Sequence, residues 1–141
     1  MKLKNLLVVT SVLAFVFGLV FLLVPYQATS LYGYTLDRES SFFPRYMGAA
    51  FLGFGLLNWY AKEVVGESVA IRAIIVGNLV HAVVGLAVGL GNAINMRGNG
   101  LVWMNVAIYA VLTVGFGYFQ FVRKDVTAPR ITTGPGTPIP H

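Results

Sequence analysis

His81 lies near the middle of a long apolar run, Val69 to Leu90, with Ala73, Gly77, Gly85 and Gly89 at four-residue spacing on either side of it. An ionisable group at bilayer depth is costly and by default marks function. A mid-membrane histidine with a small residue one turn earlier, here Gly77 before His81, is the arrangement that ligates a tetrapyrrole metal, with the small residue making room for the macrocycle. The same row of small residues also lets two helices approach closely, which is how helices associate when lipid removes the hydrophobic drive between them. A hydrogen bond to Asn78, Tyr109 or a backbone carbonyl would equally satisfy the imidazole.

A second polar row, Asn105, Tyr109, Thr113 and Gly117, with Gln120 on the adjoining edge, runs through the last apolar stretch. Such groups avoid lipid, where an unsatisfied donor costs several kcal/mol in order of magnitude. The row is therefore expected to face a helix bundle interior or a partner. Together with His81 and Asn78 it would line a pocket for a polar lipid or a quinone-like molecule. Without a ligand, the same groups would make interhelical hydrogen bonds worth about 0.6–2 kcal/mol per pair.

Enzyme chemistry finds little support. No acidic residue falls within an apolar run, which argues against a proton relay, a cation pathway or a buried carboxylate pair. Serine and histidine are present, but no third member orients the base. With no cysteine and only 2 histidines there is no disulfide, iron–sulfur cluster or thiol nucleophile, and no structural zinc site is expected. No cofactor is required by the sequence.

These residues are carried by four apolar stretches, about 5–24, 44–61, 69–90 and 101–122, that fill most of the 141 residues. A spanning helix needs roughly 20 mainly apolar residues. Composition agrees, with 57% hydrophobic and 11% charged residues against about 25% charged in soluble proteins. The expected fold is all-α, an integral membrane four-helix bundle over residues 1–124. All connections except the first are short, favouring antiparallel neighbours in an up-down-up-down order. The first apolar run exceeds the roughly 7–15 residue core of a secretory signal, so it is expected to be retained as a helix.

The net charge of +5 is distributed at helix ends rather than in a nucleic-acid-binding patch, and nucleic acid is not an expected partner. Lys2, Lys4, Lys62, Arg72, Arg123, Lys124 and Arg130 fall on one side and Arg38, Arg45 and Arg97 on the other. The positive-inside rule then places both termini in the cytoplasm. The basic ends also suit contact with anionic membrane lipid.

Pro25 ends the first helix for want of a donor, and Pro44 suits the first position of the second. Between them, Tyr26 to Ser41 is aromatic enough to lie at the headgroup level, with a short interfacial helix expected in part of it. Asp37 and Glu39 flank Arg38 as a solvated loop, within reach of Arg45. Ala14 with Gly18, and Ala49 with Gly53, repeat the small-residue theme on the first two helices. The tail, 125–141, is rich in Thr, Gly and Pro and cannot bury enough apolar surface to order itself. A neighbouring subunit is the simplest thing to hold it.

The segments Tyr32-Gly33, Arg45, Gly48-Ala49-Ala50, Leu52-Gly53, Gly55-Leu56-Leu57 and Trp59 resemble small bacterial four-helix membrane proteins, the DUF4345-like and DoxX-like families. The resemblance covers the four helices and omits the tail. It implies a four-helix bundle in a bacterial inner (cytoplasmic) membrane, without an established activity. Some DoxX-like proteins partner quinone-linked oxidoreductases, but no cysteine or redox motif carries that role here, and His81 matches no family pattern.

Two functions are expected from these features. The first is a non-catalytic accessory subunit of a larger membrane complex, of the photosynthetic or respiratory energy-conversion kind, holding other membrane subunits through its tail and glycine faces. The second is an autonomous bundle binding a small lipophile, a quinone, lipid or tetrapyrrole, between the last two helices.

Overall fold

The computed structural model describes residues 2–65, 68–95 and 99–123. Those residues form five helices and no strand: α1 (Leu3–Leu23), α2 (Pro25–Leu31), α3 (Phe42–Ala61), α4 (Ser68–Asn95) and α5 (Gly100–Phe121). The tail expected to meet a neighbouring subunit lies outside the described residues.

Three helical spans, Leu3–Leu23, Val69–Ile94 and Gly100–Phe121, have the length and apolar composition to cross a membrane. The fourth expected span, α3, has 20 residues but not the composition. Arg45, Asn58 and the aromatic residues near its ends dilute its apolar centre. Burial follows the logic of a chain dissolved in lipid. Ser11, Asn58 and Asn78 are buried, while Val12, Val16, Val80, Val84, Val111 and Val114 look outward. Water would select the opposite distribution; this one identifies an integral membrane protein.

The boundary between α1 and α2 follows from Pro25. Its ring disfavours helical geometry in the preceding residue, and Val24 accordingly leaves the helix with φ −129° and ψ 55°. Pro25 then opens α2 as its first residue, so the expected short helix in this connector is present. Gly33 stops it. The Tyr34 N–H donates to the Thr29 carbonyl and the Gly33 N–H to the Ser30 carbonyl, at 3.1 and 2.9 Å, the double closure of a Schellman turn. That turn needs a left-handed residue, and Gly33 supplies φ +86°. The next helix, α3, begins two residues before the expected Pro44, which falls within the first turn, where no amide partner is lost. At α5, the Asn99 side chain caps the helix by accepting from the Leu101 and Val102 amides at 3.1 and 3.2 Å.

The helices associate as two close pairs, α1 with α3 and α4 with α5, and contact between the pairs is sparse. Each pair is antiparallel. Lys4 meets Glu63 at one end of the first pair, and the Ser11 hydroxyl donates to the Gly55 carbonyl at 2.7 Å nearer its middle. In the second pair Leu79 lies beside Gly117 and Val106 beside Gly89.

The close face of α3 is Gly48 and Gly55, rather than the expected Ala49 and Gly53, which are exposed. On α1 the facing residues are Ser11, Ala14 and Gly18, all buried. Small residues recur on two sides of α3, so the rotation that puts one set against α1 is a tertiary choice.

One apolar cluster joins the pairs. Leu3, Leu6 and Leu7 of α1 and Ala61 of α3 pack in it with Ile71, Ile75 and Ala82 of α4 and Leu112, Phe116 and Phe119 of α5. Most of these residues belong to the end where α1 begins and α5 finishes. Toward the opposite end the pairs face each other across a cavity.

Candidate functional site

His81 is half-buried and points between the pairs. Its ring lies 4.7 Å from Phe54, 6.1 Å from Phe51 and 5.6 Å from Tyr109, centroid to centroid. This aromatic cage, drawn from α3 and α5, borders a cavity of about 150 Å³. The remaining wall is Thr10, Leu13, Ala14, Phe17 and Phe21 of α1, Met47 of α3, and Asn105, Ile108 and Leu112 of α5. All four long helices therefore contribute.

The polar groups gather on one side. Asn105 donates its side-chain N–H to the Tyr32 hydroxyl at 3.0 Å. Asn99 donates to the Leu31 carbonyl at 2.6 Å, so the end of α2 is tied twice to the start of α5. Burial pushes the Tyr32 phenol up, an effect partly offset by the hydrogen bond from Asn105, so Tyr32 keeps its proton at neutral pH. With its oxygen accepting from Asn105, the Tyr32 O–H remains a donor. Tyr109 offers a second phenolic donor, and the His81 imidazole offers one donor and one acceptor. An oxygen-bearing ring entering this space would find aromatic faces for its carbons and several donors for its oxygen.

Tyr109 is held in place by a glycine. Its ring occupies the space where a side chain at Gly85 would stand. Gly89, one turn on, lies against Val106, with 3.2 Å between the position of a Cβ and the valine side chain. These two members of the expected small-residue row thus serve the α4–α5 contact. Ala73 and Gly77 do not, since both are exposed and a Cβ at Gly77 would meet nothing within 4 Å. Residues four apart drift by about 40° per step around a helix of 3.6 residues per turn. A row of five therefore winds from one face toward the opposite one. Gly77 opens outward and lies outside the lining of the His81 cavity, so the two do not form the shared space that a tetrapyrrole would need.

The α5 row divides in the same way. Asn105 and Tyr109 line the cavity, whereas Thr113 lies beyond its lining with a buried hydroxyl that lacks a hydrogen-bond partner. The Gln120 side-chain oxygen is likewise buried and unpartnered. Asn78, expected near His81, donates instead to the Ile74 carbonyl of its own helix at 2.9 Å.

Several lining residues carry no sequence signal. Phe17, Phe51, Phe54 and Met47 read as ordinary apolar positions. Only the meeting of the two pairs makes them one site.

Lys62 lies over the Trp59 ring, 3.2 Å from its centroid, and pairs with Glu63 at 3.6 Å. In the connector before α3, Asp37 pairs with Ser40, accepting from its hydroxyl at 2.5 Å and its amide at 2.7 Å. The Ser40 hydroxyl holds the Asp37 carboxyl below its ordinary range.

No protein-family model, curated protein or solved structure matches this chain. The membrane class rests on its helices and their burial pattern, and the site on its geometry.

Proposed function

We propose that this protein is a four-helix bundle of a bacterial inner membrane that binds a small ring-bearing lipophile between its two helix pairs. In this reading α1, α3, α4 and α5 run up, down, up and down with both termini cytoplasmic. Support comes from the antiparallel order within each pair and from the excess of basic residues at one end. Although α3 is too polar to be recognised as a span alone, it is paired with α1 along its length, so its Asn58 is shielded from lipid.

The observation that carries the binding role is the convergence of His81, Asn105 and Tyr109 on one aromatic-walled cavity, with Tyr32 accepting from Asn105 behind it. Mostly apolar walls with a few convergent polar groups are the usual make-up of a small-molecule site. A flat ring with an oxygen acceptor fits best, its faces against Phe51, Phe54 and His81 and its oxygen toward Tyr109. The role is binding, without a catalytic step.

The accessory-subunit role keeps one specific support. Ala49, Gly53, Ala73 and Gly77 look outward, where small residues permit close approach by another helix.

One experiment addresses both roles. The protein is extracted from native membranes in mild detergent, and the intact particle is analysed by protein mass spectrometry and by solvent extraction of small molecules. The expected result is a ring-bearing lipophile near one per chain, lost from a His81→Leu, Tyr109→Phe double variant that still assembles. A wild-type particle without such a molecule refutes the binding role. Stoichiometric larger subunits would establish the accessory role.

A further inference from the structure

Beside the cavity that His81 lines is a second space of about 350 Å³, and both are lined by Met47, His81, Asn105 and Tyr109. The outer space also has Val84 and Val88 of α4 in its wall. These two valines are 56% and 59% exposed, and Met47 is 42% exposed, so the outer space opens onto the surface that faces lipid. The inner one is small. A cavity of about 150 Å³ is the size that takes up a benzene ring, and the His81 cavity, partly open and with Thr10, Asn105 and Tyr109 in its wall, has about that volume. It has room for a ring and none for a chain of carbons attached to it.

Relying on the reading that the inner cavity holds a ring, we infer that the ligand carries a hydrocarbon tail, and that the tail leaves sideways past Met47, Val84 and Val88 into the bilayer. The side exit exists because the two helix pairs are each tight and touch one another little, with few contacts between α3 and α4. Gly85 and Gly89, packed against Tyr109 and Val106 of α5, belong to the wall of this outer space. The outer wall also carries Tyr32, Tyr34, Asn92 and Asn105, so a tail in the slot exchanges lipid neighbours for the apolar strip of Met47, Val84, Val88 and Val102, while its ring gains the polar groups inside. The polar groups set which ring binds, and the slot sets that it must be tethered to a chain.

The test uses the full chain in lipid nanodiscs with two probes, 2,3-dimethyl-1,4-benzoquinone and the same ring with a decyl tail. Binding is compared at equal mole fraction in the bilayer, which removes the advantage a tail gains by partitioning. The wild type is expected to hold the tailed probe about tenfold more tightly or better, the equivalent of a modest apolar contact. Val88→Trp, which fills the slot from an exposed position, should remove that advantage and leave the tailless probe unchanged. Val84→Trp provides a second block of the same kind, and Tyr109→Phe should weaken both probes. Equal binding of the two probes by the wild type, or undiminished tailed binding in both tryptophan variants, overturns the tail while leaving the ring site standing. Failure of the wild type to bind either probe overturns the ring site and the tail together.

Discussion

Replacing Gly48 with alanine should separate α1 from α3. The added methyl would lie 2.7 Å from the Gly18 carbonyl oxygen and 2.7 Å from the Leu22 amide nitrogen, with the Leu22 Cα at 3.2 Å. The two closest contacts fall about 0.7 Å short of ordinary van der Waals distance. All three obstacles are backbone atoms, so no side chain can swing aside and the helices themselves must move. Overpacking of this kind costs about 1–3 kcal/mol, and a rigid backbone obstacle places Gly48→Ala toward the upper end.

The matched control is Gly53→Ala on the same helix, where the methyl meets nothing within 4 Å and stability should change by less than about 0.5 kcal/mol. Gly18→Ala strikes the same contact from the other side, 3.0 Å from the Gly48 carbonyl and 2.9 Å from the Leu52 side chain. Once either methyl has parted the helices, the second adds less, so the double variant should lose less than the sum of the singles. Reversible unfolding in mixed micelles, followed by tryptophan fluorescence, measures all four variants. A Gly48→Ala protein as stable as wild type, or a Gly53→Ala protein destabilised as much as it, would refute the assigned rotation of α3.

Ser11→Ala removes the hydroxyl that donates to the Gly55 carbonyl at 2.7 Å, and should cost about 0.6–2 kcal/mol in the same unfolding assay; no loss would mean the hydroxyl is as well satisfied within its own helix. Hydrogen bonds from Ser40 favour ionised Asp37, so folding gains from the pair above the unfolded carboxyl range and loses that gain as pH falls through the lower folded value. Protection of the Ser40 amide, measured against its intrinsic exchange rate at each pH, should therefore fall below about pH 4, the ordinary carboxyl range, and should do so far less in Asp37→Asn. Protection that is indifferent to pH in the wild type would count against the pair.

The solvent of this chain was legible from its residues alone. Long apolar runs with almost no charge can satisfy their backbone groups in lipid only as helices, and Pro25 marked the end of the first of them. His81, Asn105 and Tyr109 also stood out in the sequence, because polar side chains within such runs are rare enough to notice. The three that converge on the cavity were thus visible before the fold was known.

Sequence could not decide which way each helix turns. The glycines of α3 offered two faces, and the one that packs is Gly48 with Gly55. On α4 and α5 the four-residue rows wind around their helices, so Gly77 and Thr113 leave the company of His81 and Tyr109 that their spacing seemed to grant. Nor did any local pattern announce Phe17, Phe51, Phe54 or Met47 as walls of a site. Apolar side chains in a membrane helix gain nearly as much from lipid as from one another, so hydropathy barely distinguishes inward from outward. That choice was made by backbone contact at glycines and by the few polar groups that needed partners, and both depend on the tertiary arrangement.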